Sequence, residues 1–175
     1  MEADAGHHAA LAGKYRHSPD VRTRRALVHP SNVDALLREG GVPEELDVLS
    51  IDVDGIDLWI WDAVTAVRPR VVVIEYNSHL DPHVAVAQPL EPAMAWDGTD
   101  YFGASLAALR RVAARRGYRL VHTDIAGVNA FFVRADLAGP FGPEDEVPLR
   151  APNYFLGGAG HPRHVGGRTY VEPES

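Results

Sequence analysis

Cysteine is absent from the 175 residues, which excludes disulfide frameworks, zinc-thiolate sites and thiol nucleophiles. A reducing, cytoplasmic setting fits that composition. No apolar stretch approaches the roughly 20 residues that a bilayer-spanning helix needs. The opening Met1-Glu2-Ala3-Asp4-Ala5-Gly6-His7-His8 has neither the basic nor the apolar region of a signal peptide, so a soluble protein with no membrane partner is expected. Positive charge is in short supply as well: 17 Lys+Arg against 24 Asp+Glu leave a net charge of -7. Such a balance gives no broad attraction to phosphate backbones or anionic membranes, and nucleic acid is not an expected partner. The local cluster Arg110, Arg111, Arg115 and Arg116 reads as the solvated face of a helix.

What the chain does have is two hydrophobic runs that end in acid. Asp47-Val48-Leu49-Ser50-Ile51-Asp52-Val53-Asp54-Gly55 and Val71-Val72-Val73-Ile74-Glu75-Tyr76-Asn77 are too continuously apolar for half-exposed strands. They predict central strands of a parallel sheet with helices on both faces. Between them, Leu58-Trp59-Ile60-Trp61-Asp62-Ala63-Val64 predicts a helix that closes before Pro69. Earlier in the chain, Arg24 to His29 reads as a strand, and Ser31 or Asn32 can cap a short helix through Leu37.

The segment from Ser78 to Gly103 is longer than an ordinary connection and bears Pro82, Pro89 and Pro92, which suggests a lid or substrate loop. Leu106, Leu109, Val112 and Ala113 then mark an amphipathic helix ended by Gly117. Tyr118 to His122 and Ala130 to Val133 read as two strands returning on each other through Gly127 and Asn129. Residues 1–137 therefore form the expected α/β domain. Residues 138–175 are a Pro/Gly-rich extension that wraps the surface or is disordered.

In serial order, Ser50-Ile51-Asp52-Val53-Asp54-Gly55, Val73-Ile74-Glu75-Tyr76-Asn77, Tyr101-Phe102-Gly103-Ala104-Ser105, Gly117-Tyr118-Arg119-Leu120-Val121 and Asn129-Ala130-Phe131-Phe132-Val133 resemble the later half of an FkbM-like methyltransferase domain. The resemblance runs from about Leu11 to Leu137. It implies a truncated Rossmann-like methyltransferase sheet, mostly parallel with a C-terminal antiparallel hairpin, and an ancestry that uses S-adenosylmethionine. The strand with a glycine-rich turn and the strand with a ribose-holding acid that open such domains have no counterpart here, because the glycine cluster Gly157-Gly158-Ala159-Gly160 lies near the C-terminus. Binding of S-adenosylmethionine by the isolated chain is therefore not expected. By the same resemblance the Ile51 strand has lost a neighbour. Its edge is expected to be covered by the Ala26 strand, by a second copy in a homodimer, or by a partner chain.

In open α/β sheets ligands bind beyond the carboxyl ends of the strands, where Asp52, Asp54, Glu75 and Asn77 gather. The three acids supply hard oxygen ligands, and His79 and His83, four residues apart just beyond the second strand, add imidazole. Together they suggest a divalent-metal site. Asp52, Glu75 and His79 are the catalytic candidates. Loop hydrogen bonding or helix capping is the other reading of Asp52 and Asp54, and a neighbouring backbone is the other partner for Glu75 and Asn77. The remaining histidines, His161 and His164 included, follow no zinc spacing.

Trp96 and Tyr101 in the long loop, Ser105 at a helix start and Asn129 at the hairpin return join Asn77 as candidate contacts to a small-molecule substrate. Loop packing competes for the aromatics and capping for Ser105. Three functions follow: a metal-dependent enzyme on a methyltransferase-derived fold without methyl transfer, a methyltransferase that needs a partner or second copy for its cofactor, and a non-catalytic binding or assembly protein.

Overall fold

The computed structural model describes residues 1–90, 96–157 and 160–173. Helix α1 (Ala5–Tyr15) opens the chain, its first turn capped by the Asp4 carboxylate, which accepts from the His7 amide. Helix α2 (Val33–Glu39) follows, then strand β1 (Val48–Ile51), helix α3 (Asp57–Ala63) and strand β2 (Val71–Glu75). After the long loop come helix α4 (Leu106–Arg116) and strands β3 (Tyr118–Thr123) and β4 (Asn129–Arg134). Ser105 caps α4 by accepting from the Ala108 amide, and Gly117 ends it in the left-handed conformation at φ 75°.

The four strands form one sheet in the order β1-β2-β4-β3. Only β1 and β2 are parallel, whereas β4 runs antiparallel to both its neighbours. The expectation of a mostly parallel sheet is thus corrected, while the C-terminal antiparallel hairpin is present. The reason lies in the last connection. A short return through Gly127, at φ 72°, can only reverse the chain, and it inserts β4 between β2 and β3.

Burial alternates along β2. Val72 and Ile74 are fully enclosed, and Val71, Val73 and Glu75 are partly exposed. The enclosed face carries Phe132 and meets Trp61 of α3, with ring centroids 4.8 Å apart, and Tyr118 packs edge-on to the same indole at 6.0 Å. Leu58, Ile60, Leu106, Leu109 and Val112 complete this core. Complete cover on both faces, as the unbroken apolar runs suggested, is not what forms: the Val71, Val73 and Glu75 face is left half open.

The strand expected from Arg24 to His29 does not form. Arg25 makes one isolated bridge to Glu2, and the Asn32 side chain instead accepts from the His29 amide and donates to the Leu27 carbonyl. Local side-chain bonds of this kind compete with a ladder. They also leave Asn32 with no capping bond to α2. No Ala26 strand reaches β1, so among the described residues β1 has no neighbour on its outer edge. Val48 on that strand is 53% exposed.

Candidate functional site

β1 stops at Ile51, and the acids follow in a tight turn. Asp54 sits at φ 60° and Gly55 at φ 148°, so a non-glycine residue is held in the left-handed region at the sheet's carboxyl edge. The turn is fixed by Asp57, whose carboxylate accepts from the Val53 amide at 2.8 Å and the Gly55 amide at 3.0 Å. Capping at this turn therefore falls to Asp57, while Asp54 lines a cleft and Asp52 is exposed. Asp57 is 1% exposed, and burial pushes its carboxyl up to about 6 against the two amide bonds.

Glu75 ends β2 beside these acids. Burial first, and then the charges of Asp57, Asp52 and Asp54, push it up to about 9. Its Oε2 is enclosed and has no hydrogen-bond partner among the described residues. Asp52 is raised as well, by burial and by Asp54. A cleft of about 250 Å3 opens over this group. Asp54 and Glu75 supply its acids, Ala126 and Val128 of the hairpin return one apolar side, and Trp96, Phe102, Tyr154 and Pro162 the rest of the wall. The strand tips are thus the floor of an aromatic-walled hollow.

The other predicted residues divide. Asn77 is fully buried, but its amide is committed to structure: Nδ2 donates to the Asp100 and Phe102 carbonyls at 2.8 and 2.9 Å, and Oδ1 accepts from the His79 amide. Trp96 lines the cleft and is positioned by its Nε1–H, which donates to the Thr99 carbonyl. Tyr101 points elsewhere, its hydroxyl donating to the Thr169 carbonyl. Ser105 is buried as a cap, and its Oγ also accepts from the Val86 amide. Asn129 faces Glu75 in register, yet its side chain donates to Asp124.

His79 lies near Tyr154 and His161, ring centroids 5.6 and 6.0 Å away, and burial followed by the neighbouring histidines pulls its pKa down against the pull of Asp100. His83 does not join it on one face. Pro82 stands between them in successive turns, and His83 borders a separate hollow with Arg110, Arg111 and Glu144. Among the described residues, no three His, Asp or Glu side chains group closely enough to hold a metal ion.

Sequence reading missed Asp57, Tyr154 and Pro162, and set His161 aside as part of the extension. Asp57 had a usable signal, an acid at the first turn of a helix just after a glycine. The tail residues had none, because nothing local says where an irregular extension returns.

No helix among the described residues is long and apolar enough to cross a membrane. Comparison with protein-family models, with curated proteins and with solved structures finds no match.

Proposed function

We propose that the cleft is the active site of an enzyme acting on a small organic cation, with Glu75 as the group that takes and returns a proton. The observation behind this reading is the unpaired Glu75 carboxyl oxygen, buried among Asp52, Asp54 and Asp57 at the floor of an aromatic-walled hollow. Three more acids around a buried carboxyl favour its neutral form, and an arriving positive charge reverses that preference. Binding a cation thus ionises Glu75 and leaves it able to move a proton on the bound molecule. Trp96, Phe102 and Tyr154 add ring faces that attract an ammonium or sulfonium group and its apolar body.

Phenethylammonium is a suitable probe, with 2-phenylethanol as its neutral counterpart. Calorimetry in buffers of different ionisation enthalpy should show the ammonium binding with release of up to one proton near pH 8, and Glu75→Gln should abolish the release. Equal binding of the neutral analogue, or no proton release, would overturn the reading. A divalent metal at Asp52, Asp54 and Glu75 is the other cation these acids would attract, although among the described residues the side chains are not grouped closely enough to ligate one as they stand and His83 lies in a separate hollow. Proton release on adding magnesium, manganese or zinc alone, with none from the ammonium, would replace the organic cation by the ion.

The antiparallel β3–β4 hairpin supports the methyltransferase-derived ancestry, in which the last strands pair this way. Among the described residues no strand precedes β1 in the sheet and leads into a glycine-rich turn of the kind that approaches that cofactor. A methyltransferase reading therefore requires a partner or second copy. The open β1 edge and half-exposed Val48 support that arrangement, and sedimentation of the purified chain tests it.

A further inference from the structure

The cleft's outer wall is built from a segment that is fastened rather than packed. Residues 160–171 run beside the loop that ends at Phe102, and the fastenings are polar. Arg163 exchanges backbone bonds with the loop, its carbonyl accepting from the Asp100 amide at 3.0 Å and its amide donating to the Gly98 carbonyl at 3.3 Å. The Asp100 carboxylate holds the Val165 amide with one oxygen at 2.8 Å, and its other oxygen is 2.5 Å from His164 Nδ1. Arg168 reaches Asp97 at 2.6 Å and lies over the Tyr101 ring. At the far end Ala87 and Val171 exchange two backbone bonds at 2.8 Å.

Tyr170 is the one side chain that packs inward, its ring 4.8 Å from that of Tyr101 and its hydroxyl donating to the Asp100 carbonyl and accepting from Asn77 Nδ2; little other apolar burial backs these bonds. None of residues 161–172 is fully buried, and the His164 side chain is 84% exposed. Gly160 at φ 73° and Gly167 at φ 79° stand near the two ends of the stretch, in a conformation few other residues adopt at low cost. Gly160 and Pro162 line the cleft, and the His161 ring lies 5.4 Å from that of Tyr154 in its wall. Segments with few buried contacts and many exposed hydrogen bonds are the ones that open below the threshold for global unfolding.

We propose that residues 160–171 form a lid over the cleft, latched through Asp100 to His164 and through Asp97 to Arg168, which lifts as a unit to admit the ligand. This rests on the reading of the cleft as a ligand site. Asp97 stays ionised far into acid, because Thr99 and Arg168 bond its carboxylate and bring it down to about 2, so the Arg168 latch persists across the ordinary pH range.

Amide hydrogen exchange on the full chain, read by NMR, tests the lid. The Asp100, Arg163, Val165 and Val171 amides should exchange through one shared opening, at least about a hundredfold more frequent than that of the β2 amides. His164→Ala and Arg168→Ala remove latches from exposed positions and should each raise that opening by up to about fivefold, the range for exposed ion pairs, without touching β2. Phenethylammonium should lower it. Strap amides that exchange only with the core, independently of one another, or unaffected by both variants, would overturn the lid. A shared opening that the variants accelerate and the probe leaves unchanged supports the lid and counts against the organic-cation reading alone.

Discussion

Asp57, fully buried, and Glu75, partly exposed but with one enclosed carboxyl oxygen, stand at the same sheet edge with opposite circumstances. Asp57 has both oxygens bonded to backbone amides and rises only to about 6, whereas Glu75 has an enclosed oxygen with no partner among the described residues and rises to about 9. On the proposed reading of the cleft, the difference separates a supporting acid from a working one. A carboxyl that holds a turn is satisfied by the turn it holds. One left without a partner among the described residues is, on the proposed reading, open to a group that arrives from outside.

The largest effect should come from Asp57→Ala. It removes the acceptor for two amides in a closed turn, and the expected loss is about 2–4 kcal/mol by urea unfolding. A loss well under 1 kcal/mol would erase the distinction drawn above. Next is Asn77→Ala, which strips three backbone partners from a side chain that is completely buried. About 2–3 kcal/mol is expected, with faster proteolysis of the loop after Ser78.

Glu75→Gln should go the other way. Both carboxyls have folded values above their ordinary ones, so each keeps its proton longer in the folded state, and stability falls as pH rises from the unfolded to the folded value. That window is 3.8 to about 6 for Asp57 and 4.5 to about 9 for Glu75. Wild type should therefore lose stability steadily between pH 6.5 and 9, where Glu75 alone of the two still titrates. Glu75→Gln should flatten that slope and gain about 1–3 kcal/mol at pH 8 while abolishing proton release on ligand binding. An unchanged slope would show that Glu75 is already ionised.

The smallest effect belongs to Asp54→Gly, which relieves the left-handed backbone at φ 60°. A gain of about 0.5–1 kcal/mol is expected, together with weaker binding of phenethylammonium. A gain without loss of binding would make Asp54 a turn residue only.

Much of the local structure is legible in the sequence. The runs at Val48 and Val71 are strands, Ser105 and Gly117 bracket α4, and the hairpin falls between Thr123 and Asn129. Each follows from short-range chemistry: apolar continuity, a hydroxyl that caps, a glycine that turns left. Where reading failed, a distant or competing bond decided. Asn32 drew the Leu27 to His29 stretch out of a strand, Asn77 was taken up by two carbonyls more than 20 residues away, and Pro82 separated His83 from His79.

The sequence by itself determined that acids stand at the ends of two neighbouring strands, because strand length and crossover topology place Asp52, Asp54 and Glu75 at one edge whatever surrounds them. Only the tertiary structure decided which acid is satisfied and what closes over them. Satisfaction depends on amides brought within 3 Å by a turn, and the cleft depends on Tyr154, Gly160 and Pro162 returning from about 80 residues downstream. Those are relations between segments, and no periodicity along one segment encodes them.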